Sequence, residues 1–104
     1  MYQLIFYVPV EHCESVKAAV FAAGAGRIGT YDSCSWQVLG SGQFRPLKGS
    51  KPFIGHESQI EMVGEFKVEM LCSEESLPAA LKALKDSHPY ETPAFSFYPV
   101  NQTL

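Results

Sequence analysis

Charge is scarce in this sequence. Only 18% of its 104 residues are Asp, Glu, Lys or Arg, against about 25% in an average soluble domain. With 46% hydrophobic and 12% aromatic residues, that scarcity excludes a disordered chain and suggests a packed core whose leftover apolar surface is covered by copies of itself. Acids outnumber bases and the net charge is −3, which argues against nucleic acid as a general partner. Cysteine is sparse as well. Cys13, Cys34 and Cys72 are an odd number without C-x-x-C spacing, so neither a disulfide framework nor a zinc knuckle is expected, and a reducing cytoplasm is the expected compartment. No apolar run approaches a membrane span, and MYQLIFYVPV at the start lacks the basic segment and cleavage site of a signal peptide. There is no G-x-S-x-G elbow, P-loop or H-E-x-x-H motif, so catalysis has no signature and the chain is not expected to be an enzyme.

What is present fits one domain over residues 1–104. YQLIFYV (2–8) is apolar at nearly every position and rich in aromatic and β-branched types, as a central strand is. After Pro9, the residues Val16, Ala19, Val20 and Ala23 recur at helical spacing, and Gly24 is a natural stop. YDSCSWQVLG (31–40) alternates, predicting a half-buried strand with Cys34, Trp36 and Val38 turned inward. SGQFRPLKGSKPFIG then reads as a long loop broken by glycine and proline.

QIEMVGEFKVEMLC (59–72) puts Ile60, Met62, Phe66, Val68 and Met70 on one face and Glu61, Glu65, Lys67 and Glu69 on the other. This predicts a long strand with one wet or interface side, and Gly64 marks a candidate bulge or close approach. A second helix carries Leu77, Ala80, Leu81 and Leu84 on one face, with acids in its first turn and Ser76 as the favoured cap because Pro78 suits the second helical position. AFSFYPV (94–100) completes the chain as an edge strand. The order β-α-β-β-α-β with right-handed crossovers predicts an α+β, ferredoxin-like fold: a four-stranded antiparallel sheet, the first and third strands central, both helices on one face.

Three stretches could carry chemistry. Gly24, Gly26 and Gly29 spell G-x-G-x-x-G, but the run follows a helix and opens a strand, the reverse of a dinucleotide fingerprint; its glycines are expected to supply positive φ. The segment Arg27–Lys51 carries four bases against one acid, Asp32, hence +3 against −6 elsewhere. Within it Arg45, Lys48 and Lys51 lie among glycines whose backbone amides can cradle an anion, or they merely keep a loop solvated. His12 and Cys13 are adjacent on a helix and have no ligand type at i+4, which gives little support to a metal site. Finally, HPYETP (88–93) groups His88, Tyr90 and Glu91 between Pro89 and Pro93. The prolines hold the segment extended, whether it serves as a binding corner or a stiff one.

AGAGRIGTYDSCSWQVLGSGQFRPLKGSKPFIG (23–55) and HPYETPAFSFYPV (88–100) together resemble the YqfO or NIF-three-like family, specifically its PII/CutA-like domain. The resemblance implies a PII/CutA-like version of the ferredoxin-like fold and self-association, as trimers by analogy. In two-domain relatives the module is inserted in a larger metal-binding protein; this chain resembles the stand-alone form, so the metal site and any hydrolase activity of the flanking domain are not carried over. Where the family's ending has a second acid and a later aspartate, Thr92 and Ser96 stand here, which weakens a metal role for the corner. The reading that follows is a non-enzymatic homo-oligomer binding a small anion or nucleotide in an inter-subunit cleft, with Arg45, Lys48, Lys51, His88, Tyr90 and Glu91 as ligand-binding residues. Two alternatives stand beside it: a divalent-metal protein of CutA type, and a weak hydrolase or thiol enzyme using Cys34.

Overall fold

The computed structural model describes residues 1–102. Its elements run β1 (Tyr2–Pro9), a short 3-10 turn (Val10–His12), α1 (Cys13–Ala22), β2 (Trp36–Phe44), β3 (Glu61–Cys72), α2 (Leu77–Ser87) and β4 (Phe95–Pro99). The strands form an antiparallel four-stranded sheet in the order β2-β3-β1-β4, and both helices cover one face of it. This is the ferredoxin-like fold expected from the element order, with β1 and β3 central.

Alternation along the central strands defines the two faces. Leu4, Phe6 and Val8 of β1 and Val68, Met70 and Cys72 of β3 pack against Cys13, Val16 and Val20 of α1 and Leu77, Ala80 and Leu84 of α2. Burial of each large apolar side chain there contributes about 1.5–3 kcal/mol relative to exposure. The opposite, helix-free face carries Trp36, Val38, Tyr7 and Tyr98, all exposed in the single chain.

Helix ends follow the chain chemistry closely. At the end of α1, Gly24 adopts φ +112 while the Gly24 amide donates to Phe21 O (3.0 Å) and the Ala25 amide to Val20 O (3.3 Å). That pair of bonds is a Schellman stop, closed by burial of both Val20 and Ala25. Gly26 and Gly29 are also at positive φ, so the glycine run serves backbone turns as anticipated. Helix α2 begins only at Leu77, leaving Glu74 and Glu75 in the preceding turn instead of its first turn. Ser76 holds the cap position without a side-chain bond; it is Ser73 Oγ that accepts the Ser76 amide, at 3.2 Å.

Three expectations need correction. Strand β2 starts at Trp36 and runs to Phe44, so residues 41–44 belong to the sheet and the loop is shorter than expected. Its inward face is also reversed: Gln37 pairs with the buried Val68 and accepts bonds from Lys17 Nζ (2.8 Å) and Cys13 Sγ (3.6 Å). Trp36 and Val38 therefore point to the helix-free face. Third, Gly64 makes no bulge, because the β2–β3 register is continuous from Trp36↔Glu69 to Phe44↔Glu61. The far end of this hairpin extends beyond the helices, which gives the molecule a long axis of 48 Å. Ile60 and Met62, on the core side in pattern, are consequently 61% and 59% exposed.

Candidate functional site

Strand β4 is too short to cover β1. Pairing stops at Phe6↔Phe95, and the next β1 residue, Tyr7, would have both backbone groups unpaired beside a buried core. The segment 88–94 satisfies them. Ala94 O accepts the Tyr7 amide (3.3 Å), and His88 Nε2 lies 2.7 Å from Tyr7 O. A carbonyl can only accept, so Nε2 carries the proton. The other nitrogen, Nδ1, accepts the Tyr90 amide at 3.1 Å. His88 is 6% exposed and both its ring nitrogens are occupied, so it fixes the corner and presents nothing to a ligand. Burial, opposed by the bond to Tyr7 and the charge of Glu65, lowers its pKa below the usual histidine value, which keeps this neutral tautomer in place.

The corner delivers Tyr90 across the end of β1 to the helix-free side. There its hydroxyl donates to Glu65 Oε2 at 2.8 Å, and its ring lies 5.9 Å from that of Phe44. Burial first, then the bond to and charge of Glu65, push the Tyr90 phenol far above its ordinary range, so it stays a donor. Room for Glu65 depends on a glycine. A Cβ at Gly42 would lie 2.0 Å from Glu65 Oε1, which explains a residue of low strand propensity inside β2.

Loop 45–60 folds over this floor. Pro46 O accepts the Ser58 amide (2.6 Å), closing the loop's base, and Leu47 O accepts the Ser50 amide (3.0 Å), a turn in which Gly49 takes φ +90. The Lys51 amide donates to Glu91 Oε2 at 3.0 Å, pinning the loop to the corner. Between loop, corner and sheet lies a cavity of about 390 Å³, within the size range of small-molecule sites. Phe44, Leu47, Pro52, Phe53 and Ile54 give it apolar walls, and Arg45, Glu65, Tyr90 and Glu91 supply polar groups.

Of the residues singled out in the sequence, the fold brings Arg45, Tyr90 and Glu91 to the lining of this cavity, while Lys48 and Lys51 do not line it. The backbone amide of Lys51, one candidate for holding an anion, is already bonded to Glu91. Glu65 is a wall residue that sequence reasoning passed over. The signal was there: an acid on the wet face of β3 beside a glycine of the partner strand. Among the described residues no three His, Cys, Asp or Glu side chains converge as metal ligands, and Cys34 Sγ donates to the Asp32 carbonyl, at 3.5 Å. Glu91→Ala is expected to release the loop without unfolding the core: hydrogen exchange should find the Lys51 amide unprotected while core amides keep their protection.

A second hollow is lined by Met1, Gly24, Arg27, Ser73 and Ser76 at the junction of the two helix ends. Among the described residues no helix is long and apolar enough to cross a membrane.

No protein-family model matches the chain. It is 48% identical over 94 residues to the GTP cyclohydrolase 1 type 2 homolog of Mycobacterium leprae, covering 90% of this chain and 24% of that protein. Among solved structures, a Bacillus cereus protein related to NIF3 superposes with a TM-score of 0.83 at 34% identity, over 97% of this chain and 26% of that one. The periplasmic divalent cation tolerance protein CutA of Archaeoglobus fulgidus superposes with a TM-score of 0.69 at 19% identity, over 100% and 88% of the two chains; at that identity the likeness concerns the fold. The chain spans about a quarter of the length of the curated relatives it matches.

Proposed function

We propose, from the premise that this chain is homologous to a quarter-length segment of the NIF-three-like (YqfO) proteins, that it is a non-enzymatic ligand-binding or regulatory module. It works as a single domain that assembles with copies of itself in the cytoplasm and holds a small anion-bearing ligand, such as a nucleotide, under loop 45–60. The observation that carries this reading is the cavity itself, apolar-walled and supplied with a few converging polar groups. Arg45 is the cation on its wall, and among the described residues it makes no ion pair within the chain. A guanidinium left unpaired beside apolar surface suits a bidentate phosphate or carboxylate.

Self-association is supported by the helix-free face. Trp36 is 59% exposed there, with Val38 on the same strand and Tyr98 on the opposite edge strand β4, and a sister chain laid across that face would cover them and close the open side of the cavity. Tyr90 and Glu91 then line the shared cleft, with Lys48 and Lys51 raising the potential at its mouth and His88 holding the corner from behind. A divalent-metal role in the manner of the CutA proteins would need donors from more than one chain, since none converge among the described residues.

Isothermal titration tests the reading. Nucleotides and nucleoside phosphates should give saturable heat, and Arg45→Ala should weaken them at least tenfold while leaving the melting curve unchanged. Dilution heat alone across the whole panel removes the proposal. Light scattering at micromolar concentration should give a multiple of the chain mass; a monomer there would remove the shared cleft.

A further inference from the structure

We infer that Glu65 is the specificity-determining residue of this cavity: its carboxylate, set by Tyr90 over the bare backbone of Gly42, selects a flat nitrogen heterocycle that presents N–H donors. The inference rests on the cavity being the ligand site and goes on to name the part of the ligand that the sheet floor reads.

The geometry leaves Glu65 with unused capacity. A carboxylate offers about four lone-pair positions, and one of them, on Oε2, takes the Tyr90 hydroxyl. Among the described residues Glu65 makes no ion pair, although it lines the cavity beside apolar side chains. An acceptor so placed is stabilised by an incoming donor, and two adjacent N–H groups on one ring edge match its two oxygens side by side. The same carboxylate, with Glu91 also lining the cavity, repels an anion, so the charged part of a ligand belongs at Arg45, the cation of the lining, and the donor edge at Glu65.

The shape of the ligand follows from the walls. Phe44 and Tyr90 stand 5.9 Å apart at an interplanar angle of 57°, and Phe53 adds a third ring from the loop. These faces favour a planar aromatic partner. Tyr90 both supplies one of the rings and orients the acceptor, and Gly42 matters by having no side chain, since any Cβ there would displace the carboxylate.

Calorimetric titration with guanosine, inosine, benzamidine, benzoate and inorganic phosphate tests the assignment. Guanosine and benzamidine carry paired N–H donors; inosine keeps the ring N–H and lacks the amino group. We expect guanosine to bind at least tenfold more tightly than inosine, and Glu65→Gln, which can still accept the Tyr90 bond, to weaken guanosine and benzamidine tenfold or more. Gly42→Ala should weaken the same two probes with the chain still folded by circular dichroism, because what must move is the end of a flexible side chain. This second variant keeps the test decisive if Glu65→Gln misfolds. Binding of benzoate or phosphate with no preference for the donor probes overturns the Glu65 assignment and leaves the cavity as a ligand site. Absence of binding by every probe and by nucleotides overturns both.

Discussion

Phe6→Ala is expected to lower the free energy of unfolding by about 3–5 kcal/mol, a large part of the roughly 5–15 kcal/mol that holds a small domain together. Phe6 is fully buried and sits at the middle of the sheet, opposite Val68 on one side and Phe95 on the other. It belongs to the cluster through which the central strands meet both helices. Truncation there removes the transfer free energy of a whole ring and leaves a void that β1, locked between two neighbours, cannot collapse to fill. The adjacent Tyr7 is a built-in control. It points to the helix-free face and is 38% exposed, so Tyr7→Ala should cost about 1 kcal/mol. Urea denaturation of the two variants reads the contrast directly as a shift in midpoint at unchanged slope. Equal losses at positions 6 and 7 would mean that the helix-covered face is not the core.

That contrast also indicates what the sequence could and could not reveal. The inner strands were legible by different signals: β1 is apolar at nearly every position, and β3 alternates, with Val68 and Met70 buried on one face and Glu65, Lys67 and Glu69 on the other. The end of α1 was legible because Gly24 is the residue a left-handed stop favours. Strand β2 was only half legible. Alternation says that one face is apolar, but it does not say which side the helices take; here the register with β3 decides, and the polar Gln37 goes inward because Lys17 and Cys13 are there to bond it. Gly42, unlike Gly40, looked like a loop residue because glycine is a poor strand former. In the fold a continuous ladder with β3 overrides that preference.

The site was legible as residue types and not as roles. Imidazole, phenol and carboxylate were visible together in HPYETP, and that grouping is a consequence of β4 ending early: His88 fills the vacancy on β1, Tyr90 crosses to Glu65, and Glu91 reaches the loop. No local pattern encodes where a strand partner runs out. The basic loop shows the same limit, since charge in sequence placed Arg45, Lys48 and Lys51 together, while in the fold Arg45, directly after the end of β2, lines the cavity and Lys48 and Lys51 do not.

His88→Ala should be the second most damaging change, and it tests the corner. Removing the imidazole leaves the Tyr7 carbonyl without a partner at a buried edge, a loss of about 1–3 kcal/mol, and opens a void beside it, for a total of about 2–4 kcal/mol. His88→Gln separates the two bonds. Its amide can still donate to Tyr7 O and should recover part of the stability, but it cannot also accept the Tyr90 amide, so nuclear magnetic resonance should find Tyr90 displaced in a protein that remains folded. The pH dependence carries the matching sign. Because burial holds the folded pKa of His88 below the unfolded value, the unfolded chain binds the proton first as pH falls, and stability rises with pH in that window. The contribution is fully present above about pH 6.5 and declines as pH drops from there toward the lower folded value. A proton on Nδ1 would also oppose the Tyr90 amide, so the corner should loosen in the same range. Midpoints in urea measured from pH 8 down to pH 5 should fall for the native chain, with a smaller fall in His88→Gln; matching profiles would mean that another group governs the acid limb and that His88 is not the buried, neutral hinge of the site.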